Sequence, residues 1–294
     1  MAGDRSDTGG FGLSTFYEDV AAALGVTDLH PLRDGGQKRV FVARRGNEDV
    51  VVKAVEVLPP HQALVLERAK REVALLSKVS ASAGRRIVAL RSGLVTVGDP
   101  AQPSAVGWLE ELLDGHDLGE LEMGSWTENE ARDLVIGLGQ ALNHLHENEV
   151  VHRDLSPGNV RRRSDGTWTL LDPGLARHLA ELSLTGLYQP GTAGFRSPEQ
   201  VTGGTPEPYS DIYGVGILGY YVLTGQLPVD PSGGSEEDYF RRLREQQPAP
   251  VKDLRPDLDD GFAGIIDRCL DRQPARRYID AAELLEELGV GAPS

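Results

Sequence analysis

Residues 152–174 read HRDLSPGNVRRRSDGTWTLLDPG and place Asp154, Asn159 and Asp172 at spacings of five and thirteen residues. Two carboxylates and an amide are hard oxygen donors of the kind that bind metal ions directly and phosphates through them. Their placement constrains the fold. Asn159 ends the loop that follows Asp154, and TWTLLDPG delivers Asp172 at the end of a strand. The chain must therefore bring a loop and a strand tip together for the three to act as one group.

The flanking sequence changes character around Trp126. Before it, RVFVARR and EDVVVKAVEV surround GNE as two β-branched runs of a hairpin. RIVALRSGLVTV and SAVGWLEELL read as two further strands. Between the two pairs, the period of Leu64, Ala69, Val73 and Leu76 predicts a helix from about His61 to Val79. STFYEDVAAALG predicts a short N-terminal helix with Ser14 as its cap and Gly25 as its stop. After Trp126, Thr127 and Glu130 form a capping box. The helix it opens has an apolar stripe of Ala131, Leu134, Val135, Leu138, Leu142 and Leu145. Further helices are predicted near 210–224, 235–247, 259–270 and 280–288. The fold class is α+β, a small β-rich lobe with one long helix followed by a larger, mainly helical lobe, joined near Leu113–Gly115.

Composition narrows the function. A formal net charge of −15 disfavours nucleic acid and anionic membranes as partners and suits a basic one. The single cysteine, Cys269, rules out an intramolecular disulfide and any Cys-based metal site. The polar start MAGDRSDTGGFG has no apolar signal region, and the longest apolar run, IYGVGILGYYVL, is too short to span a bilayer. A cytoplasmic protein is the expectation.

Phosphoryl transfer is a chemistry that the central group suits. It needs a triphosphate neutralised, usually through Mg²⁺, and an acceptor hydroxyl oriented by a carboxylate. Asp154 suits the hydroxyl; Asn159 and Asp172 suit the metal.

HRDLSPGN and DPG resemble the catalytic loop and metal-binding motif of eukaryotic-like serine/threonine protein kinases, here of bacterial type. VVVK, ending at Lys53, resembles the strand whose Lys grips the α/β-phosphates, and Glu72 lies where that family's helix supplies the Lys with an ion-pair partner. GTAGFRSPEQ resembles the substrate-facing P+1 loop and Ala-Pro-Glu motif, with Ser197 replacing Ala. DIYGVGILGYYVLTGQLP resembles the helix whose Asp, here Asp211, supports the catalytic loop, and Arg277 falls where the family pairs an Arg with the Pro-Glu carboxylate, here Glu199. The resemblance covers about residues 31–288 and implies a bilobal fold. It divides the chain into an N-terminal extension (1–30), a nucleotide-binding lobe (31–113) and a catalytic lobe (114–294).

By the same resemblance the cofactors are ATP and Mg²⁺, with Mn²⁺ as an alternative ion. Asp154 orients the acceptor, Lys53 and Glu72 fix the phosphates, and Asn159 and Asp172 ligate the metal. Gly35, Gly36, Val40 and Val51 surround the nucleotide, and Glu111 and Leu113 offer backbone contacts to adenine. Thr192 contacts the catalytic Asp, as in kinases acting on Ser and Thr. Ser183, Thr185 and Tyr188 are candidate autophosphorylation sites. His152 and the pair Glu199–Arg277 are structural, Gly214 and Gly216 allow close packing, and Arg161–Arg163 read as a solvated turn.

Four departures stand out. RDGGQKRV keeps only Gly35 of the family's three loop glycines, with Arg33 and Lys38 in the outer positions. Ser156 replaces the Lys that stabilises the phosphoryl group in transit, Pro173 replaces the Phe of Asp-Phe-Gly, and Glu110 takes the gatekeeper position beside adenine. The implied activity is Mg-ATP-dependent transfer to Ser or Thr hydroxyls of a protein. A pseudokinase scaffold is the first alternative, and a small-molecule phosphotransferase, whose family shares a similar HGDLHPGN loop, is the second. The physiological substrate, the activating signal and the oligomeric state are not encoded in any motif found.

Overall fold

The computed structural model describes residues 15–35, 38–99, 102–173 and 194–291. The chain divides into two compact units, one of residues 1–70 and 91–112, the other of 71–90 and 113–294.

The first unit is an antiparallel sheet in the order β1-β2-β3-β5-β4. Its strands are β1 (Thr27–Gly35), β2 (Lys38–Arg45), β3 (Glu48–Glu56), β4 (Val95–Asp99) and β5 (Gln102–Glu111). Side chains alternate across the sheet, so cross-strand partners share a face. One face carries Phe41, Ala43, Val50, Val52, Ala54, Ala105 and Leu109, all buried. Helix α1 (Thr15–Leu24) covers it with Val20, Ala21 and Leu24, spaced to fall on one side of the helix. The approach is close enough that a Cβ at Gly107 would collide with Val20. Gly25, at φ +67°, ends the helix as predicted; the predicted cap, Ser14, lies outside the described residues.

Two expectations about strands need correction. Strand β1 was not anticipated, and residues 27–30, placed in the extension by sequence, belong to the sheet. TDLHPLRDG lacks apolar alternation and contains Pro31, which a sheet tolerates at its edge, where β1 lies. The run starting at Arg86 becomes a strand only at Val95. Its first part instead pairs with β8 (Trp168–Leu170) in the second unit, where Leu170 N donates to Arg86 O at 2.8 Å and Val88 N donates to Leu170 O at 3.0 Å. Helix α2 (Gln62–Val79) matches the predicted bounds within a residue and crosses the division between units at Lys70.

In the second unit, α3 (Glu128–Glu147) opens on the predicted box: Thr127 N donates to Glu130 Oε2 at 2.8 Å, and Glu130 N to Thr127 Oγ1 at 3.3 Å. Its six predicted core residues are all fully buried. They pack against β8, α5 (Pro208–Thr224) and α9 (Ala281–Glu287). Strand β6 (His116–Asp117) precedes α3, and β7 (Val160–Arg162), β8 and α4 (Pro198–Val201) lie between α3 and α5 in sequence. Strands β6-β7-β8 form a small sheet in that order. After α5 come α6 (Glu236–Glu245), α7 (Val251–Leu254) and α8 (Asp260–Cys269). Helix α5 is buried almost throughout, and at Gly216 a Cβ would lie 2.8 Å from that of Cys269. Among the described residues no helix is long and apolar enough to cross a membrane.

The Arg161–Arg163 run is not a solvated turn. Arg161 donates to Asp117 Oδ1 and to the carbonyls of Asp114 and Gly115, tying β7 to the segment around β6. Arg163 is buried and bonds Thr169 on β8 at 2.9 Å. Hairpin β7–β8 turns two of the three side chains inward.

Candidate active site

The loop after α3 is anchored by one buried carboxylate. Asp211, in the first turn of α5, accepts from the backbone N–H of His152 (2.7 Å) and of Arg153 (2.8 Å). His146, in the last turn of α3, reaches the same carboxylate at 3.1 Å. The Nδ1 of His146 accepts from Ala281 N–H, so its proton sits on Nε2 and is donated to Asp211. The loop and the end of α3 are thereby joined to α5 at a single side chain, and His146 links them on to Ala281 at the start of α9. Leu155 enters the core beside Gly214.

His152 is fully buried and donates from Nε2 to Leu171 O at 2.9 Å, while its Nδ1 accepts from Asp154 N–H. That bond joins the loop to the segment carrying Asp172 and bears out its structural role. Arg153 at φ +69° and Asp172 at φ +51° are left-handed non-glycine residues, a conformation that surrounding contacts must enforce. Gln200 on α4 supplies one such contact, donating to Arg153 O at 2.7 Å.

Asp154 and Asn159 meet directly. The Asn159 amide donates to the Asp154 backbone carbonyl (2.8 Å) and carboxylate (2.9 Å). Both its N–H bonds are thus directed at Asp154, and its carbonyl oxygen is the atom it has for a cation. Burial pushes the Asp154 carboxyl above the usual carboxylate range, and the Asp172 charge pushes the same way. The His152 imidazole, the Asn159 amide and Arg196 pull against it. The three donors picked from sequence therefore stand in one electrostatic neighbourhood, and an oxygen-only set suits Mg²⁺. Ser156 is buried next to them, its carbonyl accepting from Asn159 N at 2.9 Å.

In the first unit, Lys53 faces Val40 on β2 and Trp108 on β5, and Val51 faces Glu110. These residues share the face opposite α1. Lys53 Nζ lies 2.8 Å from Glu110 Oε2, with side chains 6% and 2% exposed. The buried carboxylate at the gatekeeper position is therefore a counter-ion, a role that the family pattern assigns to Glu72. Glu72 is buried in the second unit. Gly35 faces Lys38 across the β1–β2 pairing, Glu111 ends β5, and Leu113, where the chain re-enters the second unit, is buried. Gly36, Thr192, Ser183, Thr185 and Tyr188 lie outside the described residues.

Sequence reasoning overlooked His146 and Gln200. His146 carries a usable signal, six residues before His152 at the end of an amphipathic helix. Gln200 carries none, because its partner is a backbone carbonyl. The Pro-Glu motif is tied as expected: Arg277, almost wholly buried, makes paired bonds of 2.8 and 3.0 Å to the Glu199 carboxylate and lies over the Tyr213 ring.

Residues 29–287 match the protein kinase domain family. The chain is 30% identical over 254 residues to a probable serine/threonine-protein kinase of Clostridium acetobutylicum, covering 83% of this chain and 38% of that protein. It is 30% identical over 272 residues to serine/threonine-protein kinase pkn2 of Myxococcus xanthus, covering 88% and 31%. It is also 30% identical over 268 residues to probable serine/threonine-protein kinase PknB of Corynebacterium glutamicum, covering 87% and 40%. The chain thus spans between 31% and 40% of the length of these relatives. With a match that takes in both units and the whole Asp154–Asn159–Asp172 group, the chain belongs to the protein kinase domain family.

Proposed function

We infer that the protein transfers the γ-phosphoryl of ATP to Ser or Thr hydroxyls of a protein substrate. The observation that carries this reading is Asp154 held against Asn159 on a loop whose backbone is fixed by buried Asp211. Such preorganisation is most of what phosphoryl transfer asks of a protein. Asp154 orients the acceptor hydroxyl and receives its proton. Asn159 and Asp172 would hold Mg²⁺, or Mn²⁺ in its place, and that ion would supply charge neutralisation for the phosphates. Lys53, with Glu72 as its family-assigned partner, positions the α/β-phosphates. Gly35 and Gly36 cover them, Val40 and Val51 flank the base, and Glu111 and Leu113 present backbone groups to adenine. By the family pattern Thr192 falls where kinases acting on Ser and Thr place the Thr that meets the catalytic Asp, which points to Ser/Thr acceptors.

The net charge of −15 supports a basic protein substrate rather than nucleic acid, and a cytoplasmic site of action accords with the ATP requirement. The Glu199–Arg277 tie and helix α5 favour a protein acceptor over a small molecule, since they underlie the platform on which the family seats its substrates.

The test is incubation with ATP, Mg²⁺ and a generic basic substrate protein, with phosphate counted by intact-mass and peptide mass spectrometry. Wild type should gain phosphate on substrate or on Ser183, Thr185 or Tyr188, and Asp154→Asn should stay folded and gain none. Wild-type-like turnover in Asp154→Asn would sink the assignment.

A further inference from the structure

The carboxylate beside Lys53 belongs to a chain of contacts in which each side chain fixes the next. The pairing of β3 with β5 runs without a register shift, with Val51 opposite Glu110 and Lys53 opposite Trp108. Lys53 and Glu110 are therefore diagonal neighbours on one face, a separation that two long side chains span. Glu110 Oε2 meets Lys53 Nζ at 2.8 Å, while Glu110 Oε1 accepts from Trp108 Nε1 at 2.8 Å. An indole can only donate, so Trp108 settles which oxygen it takes and leaves the other aimed at the lysine. Trp108 is fully buried, and the Lys38 ammonium lies 5.2 Å from its ring centroid.

A buried ammonium stays charged only beside a counter-charge. An ammonium also has three N–H donors, so a bond to Glu110 is compatible with further bonds to phosphate oxygens. We propose that Glu110 is a positioning residue for the transfer reaction: from the neighbouring strand it holds the Lys53 ammonium, oriented by Trp108, for the nucleotide's α/β-phosphates. The proposal rests on the reading of Lys53 as a phosphate ligand. It gives a role to a residue that the family pattern marks only as a departure, and it builds a counter-ion for Lys53 into the sheet itself.

The test is a double-mutant cycle in the full chain, read by titration with a fluorescent ATP analogue in Mg²⁺, with circular dichroism melts to confirm folding. Glu110→Gln keeps an acceptor for Trp108 but removes the charge facing Lys53. It should weaken nucleotide binding about tenfold, the scale of one charge-assisted hydrogen bond, and should have no further effect in Lys53→Met. A purely structural role would weaken binding equally in both backgrounds, and that result, or no effect in either, overturns the proposal. Trp108→Phe provides a second route should Glu110→Gln not fold. It leaves the ion pair in place but unfixed, and a smaller loss confined to the Lys53 background is expected; its absence likewise overturns the proposal. Wild-type affinity in Lys53→Met itself would overturn the phosphate-ligand reading, and this proposal with it, whereas a weak Lys53→Met beside an unaffected Glu110→Gln overturns this proposal alone.

Discussion

Replacing Asp211 by Ala removes the acceptor for three buried donors, the N–H groups of His152 and Arg153 and the Nε2–H of His146. A buried donor left without a partner costs about 1–3 kcal/mol, with bonds to a charged acceptor toward the upper end. Three such losses give about 3–9 kcal/mol. The carboxylate leaves a space of about one water, which recovers part of that, so about 4 kcal/mol is the central figure. Asp211→Asn keeps one acceptor oxygen and turns an N–H₂ toward a donor, for an expected loss of about 2 kcal/mol. Urea unfolding followed by Trp126 and Trp168 fluorescence would read both, as midpoint shifts at constant slope. Activity should fall further than stability in Asp211→Asn, since Arg153 sits at φ +69° and an unanchored loop relaxes toward ordinary backbone angles. An Asp211→Ala protein within about 1 kcal/mol of wild type would refute the reasoning, because the donors would then have found partners of their own.

Restoring the missing charge with Ser156→Lys should raise the single-turnover transfer rate by about ten- to a hundredfold; an unchanged rate would mean another group already serves the phosphoryl in transit. For Glu199, burial raises the carboxyl, but the Arg277 bonds and charge, aided by Ser210, outweigh it and hold it below its ordinary value. Because the folded-state value is the lower one, this stabilisation is present above the unfolded value of about 4.3 and is lost as pH falls through the folded one. The urea midpoint of wild type should therefore exceed that of Glu199→Gln at pH 7 and converge on it between about pH 5 and 3; a constant gap would contradict this account. Cys269 is fully buried, and burial pushes its thiol up to about 12. Its reaction with a thiol reagent at pH 8 should run about a thousandfold slower than for a free cysteine and accelerate in sub-denaturing urea; stoichiometric labelling of the native protein within minutes would show that α8 does not seal it.

The candidate site residues were easier to pick from the sequence than the geometry that surrounds them. Asp154, Asn159 and Asp172 could be picked by spacing because loops and strand ends repeat at short range. The stripe from Ala131 to Leu145 announced α3, since one buried face imposes its period. Strand β1 was hidden because an edge strand with a proline buries too little to show alternation. Arg161 and Arg163 misled because three consecutive arginines look solvated until a hairpin with acidic and carbonyl partners is supplied. Glu110 looked anomalous as a lone carboxylate and becomes intelligible only when the β3–β5 register brings Lys53 and Trp108 to it. Asp211 was found through the family pattern, but that it gathers His146 and, through it, Ala281 could not be read from spacings of 65 and 135 residues.

The reach of Asp211 has a consequence during synthesis. Its bonds to the Asp154 loop span 58 and 59 residues of chain, and Arg277 lies a further 66 residues on from Asp211. At roughly 5–20 residues per second, a ribosome that has just added His152 needs roughly 3–12 s to add Asp211 and roughly the same again for Arg277. Until Asp211 is added, the N–H groups of His152 and Arg153 lack the carboxylate that fixes them in the folded chain. The loop geometry that Asp211 imposes therefore cannot form until α5 has been made, and the Glu199–Arg277 tie closes later still.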